Sequence, residues 1–474
     1  MSLQFIIGSS GIGKTYYACE RIIGESLENP GKLYYIVVPE QFTMQTQKNV
    51  VEMHPGKGIL NIDVLSFDRL AYRVFEEVGG AREVLLDDTG KSMVLQKLVQ
   101  QHKKELPYLG SQMNKPGYLE EVKSLISEFM QYDIGEEELS RMLEQTGKDS
   151  LLQMKMKDVN VLYQAFTDYL EGHYITGEGV MDALKKAVPF SKKLKNSVLL
   201  LDGFTGFTPV QMNVIQELLA VCEKVLVTVS MDAKENPLQK GKTHQLFYMS
   251  KKMIHTLSGL TNSLDTPVYL KEEKSGRFSD APALGFLEQH LFRYRKDAYS
   301  QTQDEIQIFA AESPVKELEE AARRIRRMVR KKQLKYGEIA VITGNLESYK
   351  SIATQVFEEA QIPCFLDEKH TILMNPFVEY IRAALEMVTK GFTYESVFRY
   401  LRCGMSGLTR DETDKLENYV LALGIRGWRK WSEKWVRTYR IMKDGDIQEL
   451  NEYRERFVEE VEALAQGFRG GKKK

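Results

Sequence analysis

Gly8-Ser9-Ser10-Gly11-Ile12-Gly13-Lys14-Thr15 fits G-x-x-x-x-G-K-[ST] at every fixed position. Its flanks decide the kind of fold that carries it. Leu3-Gln4-Phe5-Ile6-Ile7 reads as a short buried strand, and Tyr16-Tyr17-Ala18-Cys19-Glu20-Arg21-Ile22-Ile23 as the helix that follows. Strand, Gly-rich loop, helix is the arrangement phosphate binding needs. The glycines let backbone N–H groups converge on phosphate oxygens, and the helix N-terminus adds partial positive charge. Gly8, Ser9, Ser10, Gly11, Ile12, Gly13, Lys14 and Thr15 are therefore the candidate nucleotide-binding loop. Lys14 is placed to reach the β- and γ-phosphates, and the Thr15 hydroxyl to ligate Mg²⁺. The competing reading is a structural Gly-rich turn, which the flanks argue against. The motif predicts ATP binding with Mg²⁺; it does not by itself predict hydrolysis.

Working outward, the α/β texture continues. Tyr34-Tyr35-Ile36-Val37-Val38-Pro39 is a near-continuous apolar run of the buried parallel type. Leu60 to Leu65 reads as a further strand and Phe67 to Phe75 as a helix. From Asp87 to about Lys195 apolar residues recur at helical spacing (Leu119, Val122, Leu125, Ile126, Phe129 among them), and an all-helical insertion is expected. Strands return at Ser197–Asp202 and Lys224–Val229, with a helix from Pro209 to Val221 between them. Residues 233–304 are polar and mixed. A second α/β unit is expected from Glu305, with strands at Ile306–Phe309, Ile339–Ile342 and Pro363–Leu366 and helices at Leu318–Val329 and Tyr349–Ala360. From Asn375 the pattern is helical again. Gly470-Gly471-Lys472-Lys473-Lys474 looks like a frayed or artificial end.

Length and composition bound the rest. A chain of 474 residues predicts about two to four domains. With 65 basic and 66 acidic residues, the balance neither demands nor excludes nucleic acid. Cys19, Cys222, Cys364 and Cys403 lie far apart in sequence, as buried thiols in a reducing compartment would. No apolar run reaches membrane-spanning length and no signal peptide is visible, so a cytoplasmic protein with no membrane partner is expected.

Two α/β units, each interrupted or followed by a helical block, resemble superfamily 1 helicases of the UvrD/RecB type. Val37-Val38-Pro39-Glu40-Gln41-Phe42-Thr43 and Ser66-Phe67-Asp68-Arg69-Leu70-Ala71 resemble their DNA-contacting motifs. Leu200-Leu201-Asp202-Gly203-Phe204 through Gln211 stands where the Walker B motif belongs. Ala340-Val341-Ile342 followed by Ile362-Pro363 resembles the second motor domain. The combination is most similar to the B subunits of AddAB-type ATP-dependent helicase–nucleases. The resemblance implies an α/β fold with two P-loop (RecA-like) motor domains carrying helical insertions. The first would span 1–80 and 196–300, with an insertion at 81–195. The second would begin at 301–375, followed by a truncated helical insertion at 376–474. It also implies a role in double-strand break repair by homologous recombination, with DNA and a motor/nuclease A subunit as partners in a heterodimer. Members of the family are longer and carry a nuclease domain and an iron–sulfur cluster in their C-terminal part. Neither is expected within these residues, which read as a fragment.

The departures from an active motor are chemical. Asp202 is expected to hold Mg²⁺ through water. The next position, normally a Glu that positions the attacking water, is Gly203. The Gly-Asp-x-x-Gln string that senses the γ-phosphate is replaced by Val229-Ser230-Met231-Asp232, and the arginine expected after the Ile339–Ile342 strand by Thr343-Gly344-Asn345. An adenine-reading Gln motif, which the resemblance would put before the loop, is not expected among Met1–Ile7. Binding without turnover is expected, so no residue is assigned as catalytic, and the resemblance implies a subunit that scans single-stranded DNA for a hotspot sequence. An autonomous superfamily 1 DNA-dependent ATPase is the alternative, disfavoured by Gly203. A small-molecule P-loop kinase is disfavoured by the second α/β unit.

Single-stranded DNA is gripped by aromatic stacking with Arg or Lys on phosphates. Gln41, Thr43, Phe67, Arg69, Tyr72 and Phe204 follow strands whose C-terminal ends should face a ligand. They are the candidate DNA-binding residues, with core packing as the competing reading for Phe67 and Tyr72. The basic run from Arg323 to Lys332 shares a helix with Glu317, Glu319 and Glu320 and reads as a solvated face.

Overall fold

In the computed structural model the apolar runs of the N-terminal half pair into one parallel sheet. The structure describes residues 2–79, 84–113, 115–147, 150–232, 234–239, 241–270, 277–293, 297–366, 372–439, 442 and 445–470. The expected frayed end at 471–474 lies outside them. The chain divides into two units, one ending at Ile308 and the other starting at Phe309.

The strands of the first unit are β1 (Ser2–Gly8), β2 (Tyr34–Val37), β3 (Ile62–Leu65), β4 (Val84–Leu86), β5 (Tyr174–Thr176), β6 (Val198–Leu201), β7 (Lys224–Ser230) and β8 (Val268–Tyr269). Six of them form a sheet in the order β3-β2-β6-β7-β1-β8, every pair parallel. Register is set residue for residue, Tyr34 to Val37 facing Val198 to Leu201. Strand periodicity sends alternate residues to opposite faces. Phe5, Ile7, Tyr35, Val37, Leu199 and Leu201 enter one core. Ile6, Tyr34, Ile36, Val198 and Leu200 enter the other. Both faces are therefore dry, which is why these strands read as unbroken apolar runs.

Helices supply the covers. α1 (Lys14–Glu28) and α2 (Thr43–Met53) bury Ala18, Cys19, Ile22 and Val50 against one face. α3 (Phe67–Val78) packs on the other. The insertion consists of α4 (Asp88–Gln101), α5 (Pro116–Gln131), α6 (Glu136–Gln145) and α7 (Leu151–Leu170), with its own core around Leu95, Ile126, Leu162 and Phe166. α8 (Gly177–Ala187), the single turn α9 (Lys192–Lys195), α10 (Pro209–Val221), α11 (Tyr248–Gly259) and α12 (Pro282–His290) complete the unit. The insertion is not all-helical as expected: β4 and β5 form a two-stranded parallel ladder at its margin. Three-residue strands are too short for alternation to register in a sequence.

The second unit is helical: α13 (Pro314–Lys332), α14 (Leu346–Glu359), α15 (Pro376–Lys390), α16 (Tyr394–Arg402), α17 (Arg410–Leu423), α18 (Trp428–Ser432) and α19 (Asp446–Gly470). α13 and α14 share a small core of Leu318, Ala322, Ile325, Val356 and Phe357. The later helices share one built on Trp431, Phe398, Tyr419 and Phe457. On α13, Arg323 and Arg324 pair with Glu320 at 2.7 and 2.8 Å, as a solvated face would. The three strands expected at 306–309, 339–342 and 363–366 do not form among the described residues. Ile308, Ile342 and Phe365 stand about nine-tenths exposed. An apolar run becomes a strand only with a ladder partner, and none of these segments has one here.

Candidate nucleotide-binding site

β1 ends at Gly8 and α1 begins at Lys14, so the loop turns at the C-terminal edge of the sheet. Gly13 caps α1 in the left-handed region (φ 91°), and no side chain occupies the cap. The first-turn N–H groups of α1 are thus open to an anion. Lys14 Nζ donates to the Ser9 carbonyl oxygen at 2.8 Å, folding the ammonium back over the loop. Burial holds the Lys14 pKa below the ordinary lysine range, while Asp202 and Glu288 pull it part of the way back.

β6 delivers the second element. Asp202 follows its last residue and is 5% exposed. Thr15 Oγ1 donates to Asp202 Oδ2 at 2.9 Å and lies 3.1 Å from Oδ1. β7 stands between β1 and β6, and Thr228 on it spans the gap. Its hydroxyl donates to Asp202 Oδ1 at 2.6 Å and accepts the Gly203 N–H at 3.3 Å. Among the described residues no Lys or Arg reaches ion-pair distance of Asp202. A buried carboxylate satisfied by hydroxyls, with a threonine oxygen beside it, suits a hard divalent cation, which takes oxygen ligands. The residues present therefore fit Mg²⁺, which the Thr15 hydroxyl, and Asp202 through water, would hold.

The loop opens into a cavity of about 700 Å³ lined by Lys14, Thr15, Asp202, Phe204, Ser230 and Arg277, among others. Small-molecule sites span roughly 300–1,000 Å³. Gly203 has φ +79° and brings no carboxylate. Ser230, at the end of β7, lines the same cavity.

The structure separates the candidate DNA residues into two groups. Phe67 is 6% exposed and lies edge-on to Phe204, ring centroids 5.6 Å apart. Thr43 is 3% exposed, its hydroxyl spent on the Glu40 carbonyl at 2.9 Å. Neither side chain presents a surface to a ligand, because both sit at the first turn of a helix facing inward. Gln41, Arg69 and Tyr72 are exposed and Phe204 half-buried. Arg69 Nη2 lies 3.4 Å from Glu40 Oε1, each side chain about half exposed. Phe204 is shared: its ring packs on Phe67 and Phe207 and also lines the nucleotide cavity. Thr228 and Arg277 are site residues that the sequence reading did not find. A lone threonine inside the apolar run Val225 to Val229 was the available signal for the first; for the second there was none.

These features define a mixed α/β protein whose parallel sheet carries a phosphate-loop motif and a buried carboxylate at one edge. Residues 5–288 match the family described as ADDB, N-terminal, and the chain belongs to that family. It is 42% identical over 471 residues to a Lachnoclostridium phytofermentans protein described as the B subunit of an ATP-dependent helicase/deoxyribonuclease, covering 98% of this chain and 41% of the relative. Proteins of the same description from Clostridium novyi and Caldanaerobacter subterraneus are 32% and 35% identical over 473 and 474 residues, covering 100% and 96% of this chain and 41% and 40% of theirs. The chain thus spans about 41% of the length of the curated relatives it matches. Among the described residues no helix is long and apolar enough to cross a membrane.

Proposed function

We propose that this chain is an ATP-binding, single-stranded-DNA-scanning part of a helicase–nuclease complex, paired with a motor/nuclease A subunit, and that it does not itself turn ATP over. Its relatives are called subunits of an ATP-dependent helicase/deoxyribonuclease, which supports the complex and the partner. In this reading Lys14 and the α1 N-terminus hold the polyphosphate, and Mg²⁺ would be held by the Thr15 hydroxyl and, through water, by Asp202. The metal supplies charge neutralisation between phosphate oxygens. Exposed Gln41, Arg69 and Tyr72, with Phe204, form the DNA-facing surface. The second RecA-like domain, beginning near residue 301, belongs to the same proposal.

The observation that carries the absence of turnover is Gly203. The carboxylate Asp202 is in place and hydrogen-bonded, while the position that should orient water has no side chain. A fluorescent ATP analogue titrated into the purified chain should bind. ATP turnover with single-stranded DNA should stay at background. A DNA-stimulated kcat on the order of 1–10³ s⁻¹, the ordinary enzyme range, sinks the proposal and promotes an autonomous ATPase.

A further inference from the structure

The cavity over the loop holds a cation that none of the motifs accounts for. Arg277 lines it on the side of Gly11, together with Lys14. A β-carbon at Gly11 would stand 3.5 Å from Arg277 Cδ and 3.1 Å from Cε2 and Cζ of Phe278. The Phe278 ring therefore rests directly on the loop. Its other flank rests on α12, where a β-carbon at Gly285 would stand 3.1 Å from Phe278 Cβ. The Ala281 N–H closes the turn onto the Phe278 carbonyl at 3.1 Å. Two glycines, one in the loop and one in a buried helix turn, thus grip one ring and fix the residue before it. Among the described residues the exposed Arg277 side chain has no hydrogen bond or ion pair. Its neighbour Lys14 is satisfied by the loop itself.

We propose that Arg277 is a phosphate-binding residue, a second cation that clamps the nucleotide's polyphosphate over Gly11. A guanidinium offers a planar fork of donors matched to phosphate oxygens, whereas Lys14 acts as a point charge. Phe278 is the anchor that sets Arg277 in place. This inference rests on the nucleotide-binding reading and adds to it a residue from outside the P-loop. It also supplies, from within the first unit, positive charge that Thr343-Gly344-Asn345 does not bring.

The test uses the full chain with two probes, Mg·ATP and inorganic tripolyphosphate, each competed against a fluorescent ATP analogue. Arg277→Ala should weaken both about 10-fold or more, as loss of a charge-assisted contact does. Arg277→Lys should recover part of the loss. The Tm of the ligand-free chain should not move. Wild-type affinity in Arg277→Ala, alongside a large loss in Lys14→Ala, overturns the inference and leaves nucleotide binding standing. Weaker ATP with unchanged tripolyphosphate moves the contact to base or ribose and also overturns it. A fall in ligand-free Tm without loss of either probe makes Arg277 a packing residue and overturns it too. If the wild-type chain binds neither probe, the nucleotide reading itself falls and takes the inference with it.

Discussion

Thr15 Oγ1 donates a hydrogen bond to Asp202 Oδ2 at 2.9 Å, joining two residues 187 positions apart. The bond closes the loop after β1 onto the strand end of β6, and Thr228 from β7 braces the same carboxylate at 2.6 Å. If Mg²⁺ is held as proposed, by the Thr15 hydroxyl and through water by Asp202, these oxygens are already placed together by the fold, which lowers the ordering cost of binding. Removing one should reduce the benefit that Mg²⁺ gives to ATP affinity. Thr15→Ala is expected to bind ATP almost equally with Mg²⁺ and with EDTA, whereas the wild type should prefer Mg²⁺ by about 10-fold, or about 1.4 kcal/mol. Equal Mg²⁺ dependence in both proteins would place the metal elsewhere.

Lys14 should impose a pH dependence on ATP binding. Burial lowers its pKa, so in the free protein the ammonium is lost at a lower pH than in an exposed lysine. A lysine is charged below its pKa, so affinity should be flat through neutral pH. It should then fall on the alkaline side, beginning below the ordinary lysine value of 10.5. Polyphosphate next to the ammonium raises the pKa again, so binding in that alkaline window should take up a proton. Calorimetry in two buffers of different ionisation enthalpy measures that uptake. Lys14→Ala should bind at least about 10-fold more weakly and show no uptake. Proton release, or uptake that survives in Lys14→Ala, contradicts the assignment.

How far this was legible from sequence depended on whether a signal was local. The loop was readable because its chemistry needs fixed spacing, and Asp202 through the resemblance of Leu200–Gln211 to a Walker B segment; the structure sets it beside Thr15. Thr228 stood inside a recognised strand, but its role arises from β7 lying between β1 and β6, which is a matter of strand order. Arg277 and Phe278 reach Gly11 by a tertiary contact between parts of the first unit far apart in sequence, which leaves no local signal. Phe67 and Thr43 failed as surface residues for a related reason. Both follow strands, as expected, yet the first turn of each helix rotates them inward. The apolar runs at 306–309, 339–342 and 363–366 had strand composition without a ladder partner. The short β4–β5 pair had a partner without enough length to show alternation.

Gly203→Glu should not create an ATPase. The substitution restores the carboxylate at the usual position for orienting water, but Gly203 has φ +79°, where a β-carbon is strained. A β-carbon there would also stand 3.7 Å from Pro39 Cδ, in ordinary contact. The strain falls on the backbone whose N–H is held by Thr228. The expected outcome is a lower Tm, with turnover still at background in the presence of single-stranded DNA. DNA-stimulated turnover in this variant would mean that Gly203 alone separates the chain from an active motor.

Phe204 and Arg69 should contribute to single-stranded DNA recognition, and the structure predicts different signatures for the two. Glu40 lies 3.4 Å from Arg69, and Asp68 precedes it, so the surface is not strongly basic. An exposed ion pair of this kind is worth little, about 0–1 kcal/mol, so Arg69 exchanges Glu40 for a phosphate at small cost. Arg69→Ala should reduce affinity modestly and lower the salt dependence of binding by about one phosphate's worth. Phe204 instead offers a half-buried ring beside Phe67 and Phe207, and stacking on a base is worth roughly 1–3 kcal/mol. Phe204→Ala should therefore weaken binding at every salt concentration with little change in slope. Because Phe204 also lines the nucleotide cavity, its variant is best read against Phe204→Leu, which keeps bulk and loses the π-face. The assembled complex is the right object, with fluorescence anisotropy of labelled single strands across a salt series as the readout. If Phe204→Leu binds like wild type while Phe204→Ala loses both DNA affinity and thermal stability, the ring is a packing element of the Phe67 cluster and the scanning surface lies elsewhere.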